Sequence, residues 1–266
     1  MSLHSTIRRI LNEETQKPKI LEFPSLDFFN NNPFEAWKII QKIIEKKGNP
    51  PYSIRGALDL INTTIKSLGN LKSVGGYLDL SNTPIESLGN LESVGGKLQL
   101  SNTPIQSLGN LQSVGGYLNL QFTPIESLGN LISVGGYLDL RGTQIESLGN
   151  LTSVENSLDL YGTPIQSLGN LQSVGGNVFL RETPIKSLGN LESVGGRLYL
   201  QETPIRSLGN LQSVGVDLDL EKTPIESLGN LTSVGGNLLL RYTPLSEKYT
   251  EEQILQMVDV GGDIYL

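Results

Sequence analysis

Apolar positions along this chain keep two rhythms, and the two alternate every twenty residues. Residues 78–80 read L-D-L and residues 98–100 read L-Q-L. This alternation predicts a short strand with one buried face. Between them Ile85, Leu88, Leu91 and Val94 fall at every third position. A spacing of three does not suit an α-helix, and the intervening Pro, Gly, Asn and Ser disfavour one. It predicts short extended or 3₁₀-like steps. Thr83 precedes Pro84, which pushes it toward extended geometry and ends the strand segment.

The shared template is x-x-T-P-I-x-S-L-G-N-L-x-S-V-G-G-x-L-x-L. Its S-L-G-N-L run appears nine times, first at Ser67 and last at Ser227. The L-x-L ending runs from residues 58–60 to 238–240 and returns once more, as I-Y-L, at 264–266. One strand, one corner and a stepped return make one turn of a solenoid. A lone turn cannot offset the entropy of ordering itself, so the turns must stack. The expected fold is a repeat solenoid with a parallel sheet of about eleven strands and non-helical return turns. The repeated Thr (63 to 243), Asn (70 to 230) and Ser are expected to face inward and hydrogen-bond between turns. The Gly-Gly pair opens no helix and precedes no Lys-Ser/Thr, so it is not a phosphate loop. Glu155-Asn156 and Val216 replace it in two turns, which points to close packing rather than a need for positive φ.

The ends depart from the template. Asn32-Pro33-Phe34-Glu35 carries N-cap and capping-box signals, and the helix that follows has Trp37, Ile40 and Ile44 on one stripe and stops at Gly48. A shorter helix is expected near residues 5–15, with Ile7, Ile10 and Leu11 inward. Thr250-Glu251-Glu252-Gln253 is a second capping box, opening a short helix through Met257, and Val260-Gly261-Gly262 restarts the template. The organisation read from these signals is a helical N-terminal cap over 1–53, a solenoid over 54–245 and a C-terminal cap over 246–266.

Composition narrows the function. The formal net charge is −7 with both signs interspersed, which argues against nucleic acid and anionic membrane as partners. There is no cysteine, hence no disulfide framework, Cys-based zinc site or thiol nucleophile. His4 is the only histidine, and the carboxylates are expected on a shallow surface, so no enzyme, metal or cofactor is expected. The first residues have no apolar core of a secretory signal, and no apolar run nears the ~18–20 residues of a membrane span. A cytoplasmic protein is expected.

The run L-x-L-x-x-T-P-I-x-x-L over roughly residues 54–245 resembles a leucine-rich repeat, with Thr where many members place Asn. The phrase TPIxSLGNLxSVGGxLxL also resembles short repeats in uncharacterised proteins of phages, large DNA viruses and bacteria. The resemblance implies a right-handed solenoid used for protein binding. This chain lacks the helices of the convex side, so a slim, gently curved stack is expected.

What varies between copies suggests the use. Two columns flank the inner leucines of L-x-L and two more follow the strand, and seven of the nine tyrosines fall in these four. The return path holds mostly Glu, Gln, Lys and Thr at its variable places. Tyr, Phe and Arg dominate binding hot spots. The candidate partner-binding face is therefore Tyr77, Asp79, Tyr117, Tyr137, Asp139, Arg141, Asp159 and Tyr161 in one half. In the other half it is Phe179, Arg181, Arg197, Tyr199, Leu239, Arg241 and Tyr242. The acidic first half is expected to suffer repulsion between stacked Asp residues, which a basic partner would relieve. The leading expectation is a non-enzymatic scaffold binding a protein through this face. The alternatives are a self-assembling structural or virion component, monomeric or weakly associating through its C-terminal edge, and, less favoured, a carbohydrate binder.

Overall fold

The computed structural model describes residues 20–23 and 33–266. The helix expected near 5–15 and the Asn32 N-cap lie outside the described residues. Among the described residues the chain winds as a β-solenoid with two parallel sheets rather than one. The eleven-stranded sheet is the expected L-x-L ladder, from Leu58–Asp59 through Leu78–Asp79 to Ile264–Tyr265. The twelve-stranded sheet was not anticipated. It is built from the S-V pair of each turn, such as Ser93–Val94 and Ser113–Val114, extended by Leu21–Phe23 and Tyr52–Ile54 at one end and Asp259–Val260 at the other. The stepped return is thus non-helical, as expected, but part of it is a sheet. A two-residue strand is too short for its alternation to show, so only pairing across turns reveals it.

Register is kept without slippage through the repeats: Leu98 pairs with Leu118 and Val94 with Val114. Each ladder ties a turn to both of its neighbours. The Leu98 amide donates to the Tyr117 carbonyl in the next turn (2.8 Å), and the Gly95 amide donates to the Val74 carbonyl in the preceding one (2.8 Å). All six apolar columns converge inside, and Ile85, Leu88, Leu91, Val94, Leu98 and Leu100 are each at most 2 % exposed. An apolar interior this regular explains why the template barely changes: each side chain packs on its own copies above and below.

The polar columns behave differently from expectation. Thr is buried from Thr83 onward, but its hydroxyl donates within its own turn, as Thr83 does to the Leu80 carbonyl at 2.6 Å. The Ser of S-L-G-N is exposed and accepts the amide two residues on, as Ser87 does from Gly89 at 3.0 Å. Gly89 sits at φ 61, which only Gly adopts freely. The Asn beside it points outward, not inward, and ties neighbouring turns on the surface; Asn90 donates to Asn70 at 3.0 Å and Asn110 to the Gly89 carbonyl at 3.2 Å. Interior space is filled by the leucines, so side chains that bridge turns do so at the rim. The Gly-Gly pair meets its expectation of close packing: a Cβ on Gly95 would lie 2.2 Å from the Gly75 oxygen, at an ordinary φ.

The first turn is covered by helix α1 (Pro33–Lys46), whose Trp37, Ile40 and Ile44 are buried as its stripe predicts. Gln41 donates to the Tyr52 hydroxyl (2.9 Å), which donates to the Leu68 carbonyl (2.8 Å). At the other end two short helices, α2 (Pro244–Lys248) and α3 (Glu251–Leu255), replace the single one expected. Thr243 caps the first and Thr250 the second, each with a reciprocal capping box. Among the described residues no helix is long and apolar enough to cross a membrane.

Candidate functional site

The outward residue of each L-x-L strand and the column before it form one face, and the register stacks them turn on turn. Tyr77, Tyr117, Tyr137, Phe179, Tyr199 and Leu239 are all half-buried there, none in the core. They gather into ladders. Tyr117 and Tyr137 stack with centroids 5.3 Å apart, and Phe179 and Tyr199 at 5.1 Å with planes within 9°. Lys97 lies over Tyr77, Arg181 over Tyr199 and Arg241 over Tyr265, each near 5 Å. Stacking uses one face of each paired ring and holds the side chains rigid before any partner arrives.

The aspartates of the L-x-L column serve the fold first. Asp59, Asp79, Asp139, Asp159 and Asp219 each accept the backbone amide two residues on, as Asn119 does from Gln121. This Asx turn closes the strand into a tight bend whose next residue is left-handed, with φ near 57 at Asn62, Asn82 and Asn102. The pattern D-L-x-N is a turn signal that the sequence carried. The outward direction of the column hid it.

In the first half a buried network gathers on Asp139, which is 0 % exposed. Its carboxylate accepts from the Arg141 Nη2 (2.8 Å) and Nε (3.0 Å), from Gln121 and from the Tyr117 hydroxyl (3.2 Å). Tyr137 donates to Asp159 at 2.8 Å, and Arg141 also reaches Asp159 at 3.5 Å. The repulsion expected between these stacked aspartates is therefore relieved within the chain. Burial pushes the Asp139 carboxyl up, but the bonds from Arg141 and Gln121 outweigh it and hold it below the usual range. Burial, then the Asp139 charge, pushes the Tyr117 phenol up to about 12.

The second half is more open. Arg197 pairs with Asp217 at 2.9 Å, Arg181 lies 3.9 Å from Asp219, and Arg241 lies 3.7 Å from Glu221. Asp219 sits in its column between Tyr199 and Leu239. Burial raises its carboxyl to about 6, with Glu221 and Asp217 adding to the shift and the Glu221 amide and Arg181 opposing it. Tyr161 and Tyr242 stand apart from the ladders, on the ridge beyond the strand ends. A groove of about 490 Å³ opens there, lined by Tyr161, Arg181, Glu182, Glu202, Glu221 and Lys222 among others. Sequence reasoning named neither Gln121 nor the ridge glutamates, because both act through neighbours one turn away.

Phe122 belongs to the ridge column too, 73 % exposed and left-handed at φ 56. Phe122→Asn should stabilise the protein by about 1 kcal/mol, since Asn tolerates this conformation and little burial is lost. An unchanged or lower midpoint in thermal unfolding would refute the strain.

The S-V face, by contrast, is a shallow groove of Ser, Val and Gly, about 620 Å³ between Ser153 and Gly261, whose only charged lining residues are Glu155 and Asp259. No family model, no curated protein and no solved structure matches this chain.

Proposed function

We propose that the chain is a leucine-rich-repeat-like scaffold that binds a protein partner through the outward face of its L-x-L sheet, without enzymatic activity. The observation that carries this reading is the rigid aromatic and arginine patch of Phe179, Tyr199, Arg181 and Arg197 on one face, while the S-V face repeats Ser and Gly. Stacked rings have little rotamer freedom left to lose on binding, which favours them as anchors. The ionisable groups of the face are engaged mainly with one another, which suits recognition better than proton transfer.

Phe179→Ala or Tyr199→Ala should cost about 1 kcal/mol of stability, the worth of one stacked pair. Capture of the partner should weaken at least about tenfold, as for a hot-spot truncation. Loss of capture that merely follows unfolding across such variants would sink the proposal.

A further inference from the structure

One outward column runs through all twelve strands of the S-V sheet. Its ten inner places are Ser53, Ser73 and then every twentieth residue to Ser233, each paired in register with the next. Its two outermost places are Glu22, beside Ser53, and Asp259, beside Ser233. The column therefore changes only in the two strands that have an open side, and both carboxylates are exposed there. The Asp259 side chain makes no hydrogen bond or ion pair among the described residues, so it has no role within its own turn. The same turn also ends the L-x-L sheet, at Ile264–Tyr265. Leu255, Met257 and Leu266 in that turn are 48 %, 47 % and 41 % exposed. Two strand edges with apolar residues beside them invite pairing with another strand. At the other end α1 packs against Leu58–Asp59, the first L-x-L strand.

We infer that Glu22 and Asp259, with Asp263, guard the ends of the solenoid against pairing with a second copy of this chain. Neighbouring strands in a stack lie about 4.8 Å apart, and like charges at that spacing repel. Head-to-tail joining continues the serine column by setting Asp259 against Glu22 of the next copy. Tail-to-tail joining brings Asp259 and Asp263 of one copy against the same residues of the other. Charge of one sign at both ends opposes both arrangements, whereas opposite signs favour the first. Glu22 is partly offset by its ion pair with Arg55, in which both side chains are exposed. Asp263 is exposed, and its carboxylate accepts only from the Tyr265 hydroxyl (3.4 Å). No cation pairs with it or with Asp259 among the described residues. Tail-to-tail contact is thus the one most strongly opposed, and α1 denies head-to-tail joining a continuous L-x-L sheet. The inference is independent of the reading of the L-x-L face, which lies along the side of the stack.

The test is sedimentation velocity of the 266-residue protein and of the double variant Asp259→Ser, Asp263→Asn over a wide range of concentration. Serine is what every inner strand holds in this column, and Asn237 holds the second place one turn earlier, so the variant should fold and melt like the parent. The parent should sediment as a monomer, and the variant should form dimers with a self-affinity at least about tenfold higher. Hydrogen exchange in the dimer should slow at amides of residues 259–266, whose outer side is open in the monomer. The pair Glu86→Gln, Glu126→Gln removes the same charge from the exposed T-P-I surface and should leave the protein monomeric. A variant that stays as monomeric as the parent overturns the inference. So does a parent that dimerises as strongly as the variant, equal association of the Glu86/Glu126 variant, or protection away from the last turn.

Discussion

Asp139→Ala should destabilise the protein by about 2 kcal/mol, because several donors lose one buried carboxylate while Arg141, half exposed, keeps Asp159. The alanine removes the acceptor of Gln121 and the Tyr117 hydroxyl, leaves Arg141 with Asp159 alone, and loses the Asx turn at Arg141 as well. Asp79→Ala removes only the acceptor for the Ser81 amide and should cost about 1 kcal/mol, a single hydrogen bond. Because a solenoid couples each turn chiefly to its neighbours, the damage should be local. Hydrogen exchange should quicken first at amides of residues 118–160 and stay slow over 198–240. Equal costs for the two variants, or uniform exchange along the stack, would contradict the network read from the geometry.

A second large effect concerns pH. The folded-state carboxyl of Asp219 lies near 6, above its ordinary value of 3.8. A raised carboxyl means that the folded state binds the proton more tightly than the unfolded chain. Stability therefore rises as pH falls from about 7 through 6 toward 4, and no further gain remains once both states are protonated. The size is on the order of 2 kcal/mol, somewhat less than the full shift converts to. Asp139 works the other way, because its folded carboxyl lies below the usual range; its contribution is lost only at pH below about 4. Asp219→Asn keeps the acceptor for the Glu221 amide and removes the charge. It should raise stability at about pH 7.5 and flatten the profile between about pH 4 and 7. Urea midpoints across that range decide the matter: a parallel offset of parent and variant would assign the slope to other groups.

Much of the fold was legible before any coordinates. Leu58 and Leu60, Ile85, Leu88, Leu91 and Val94 announced an inner face by spacing alone, and all are buried. The helix over Trp37, Ile40 and Ile44 followed from a stripe and a cap. The S-V sheet did not show, since Ser93–Val94 is too brief to carry a period. The candidate face was legible only as a set of outward columns. That Tyr117 would bond Asp139, twenty-two residues on, or that Arg141 would join two turns, depends on neighbours in the stack.

By itself the sequence determined the turn: which residues point in, where the chain bends, and that copies must stack, because local sterics and apolar spacing act within twenty residues. Only the tertiary structure decided which outward charges remain available. Parallel in-register stacking brings each column within hydrogen-bonding reach of the next turn, and that proximity buries Asp139, raises Asp219 and leaves Glu182 and Glu202 facing solvent.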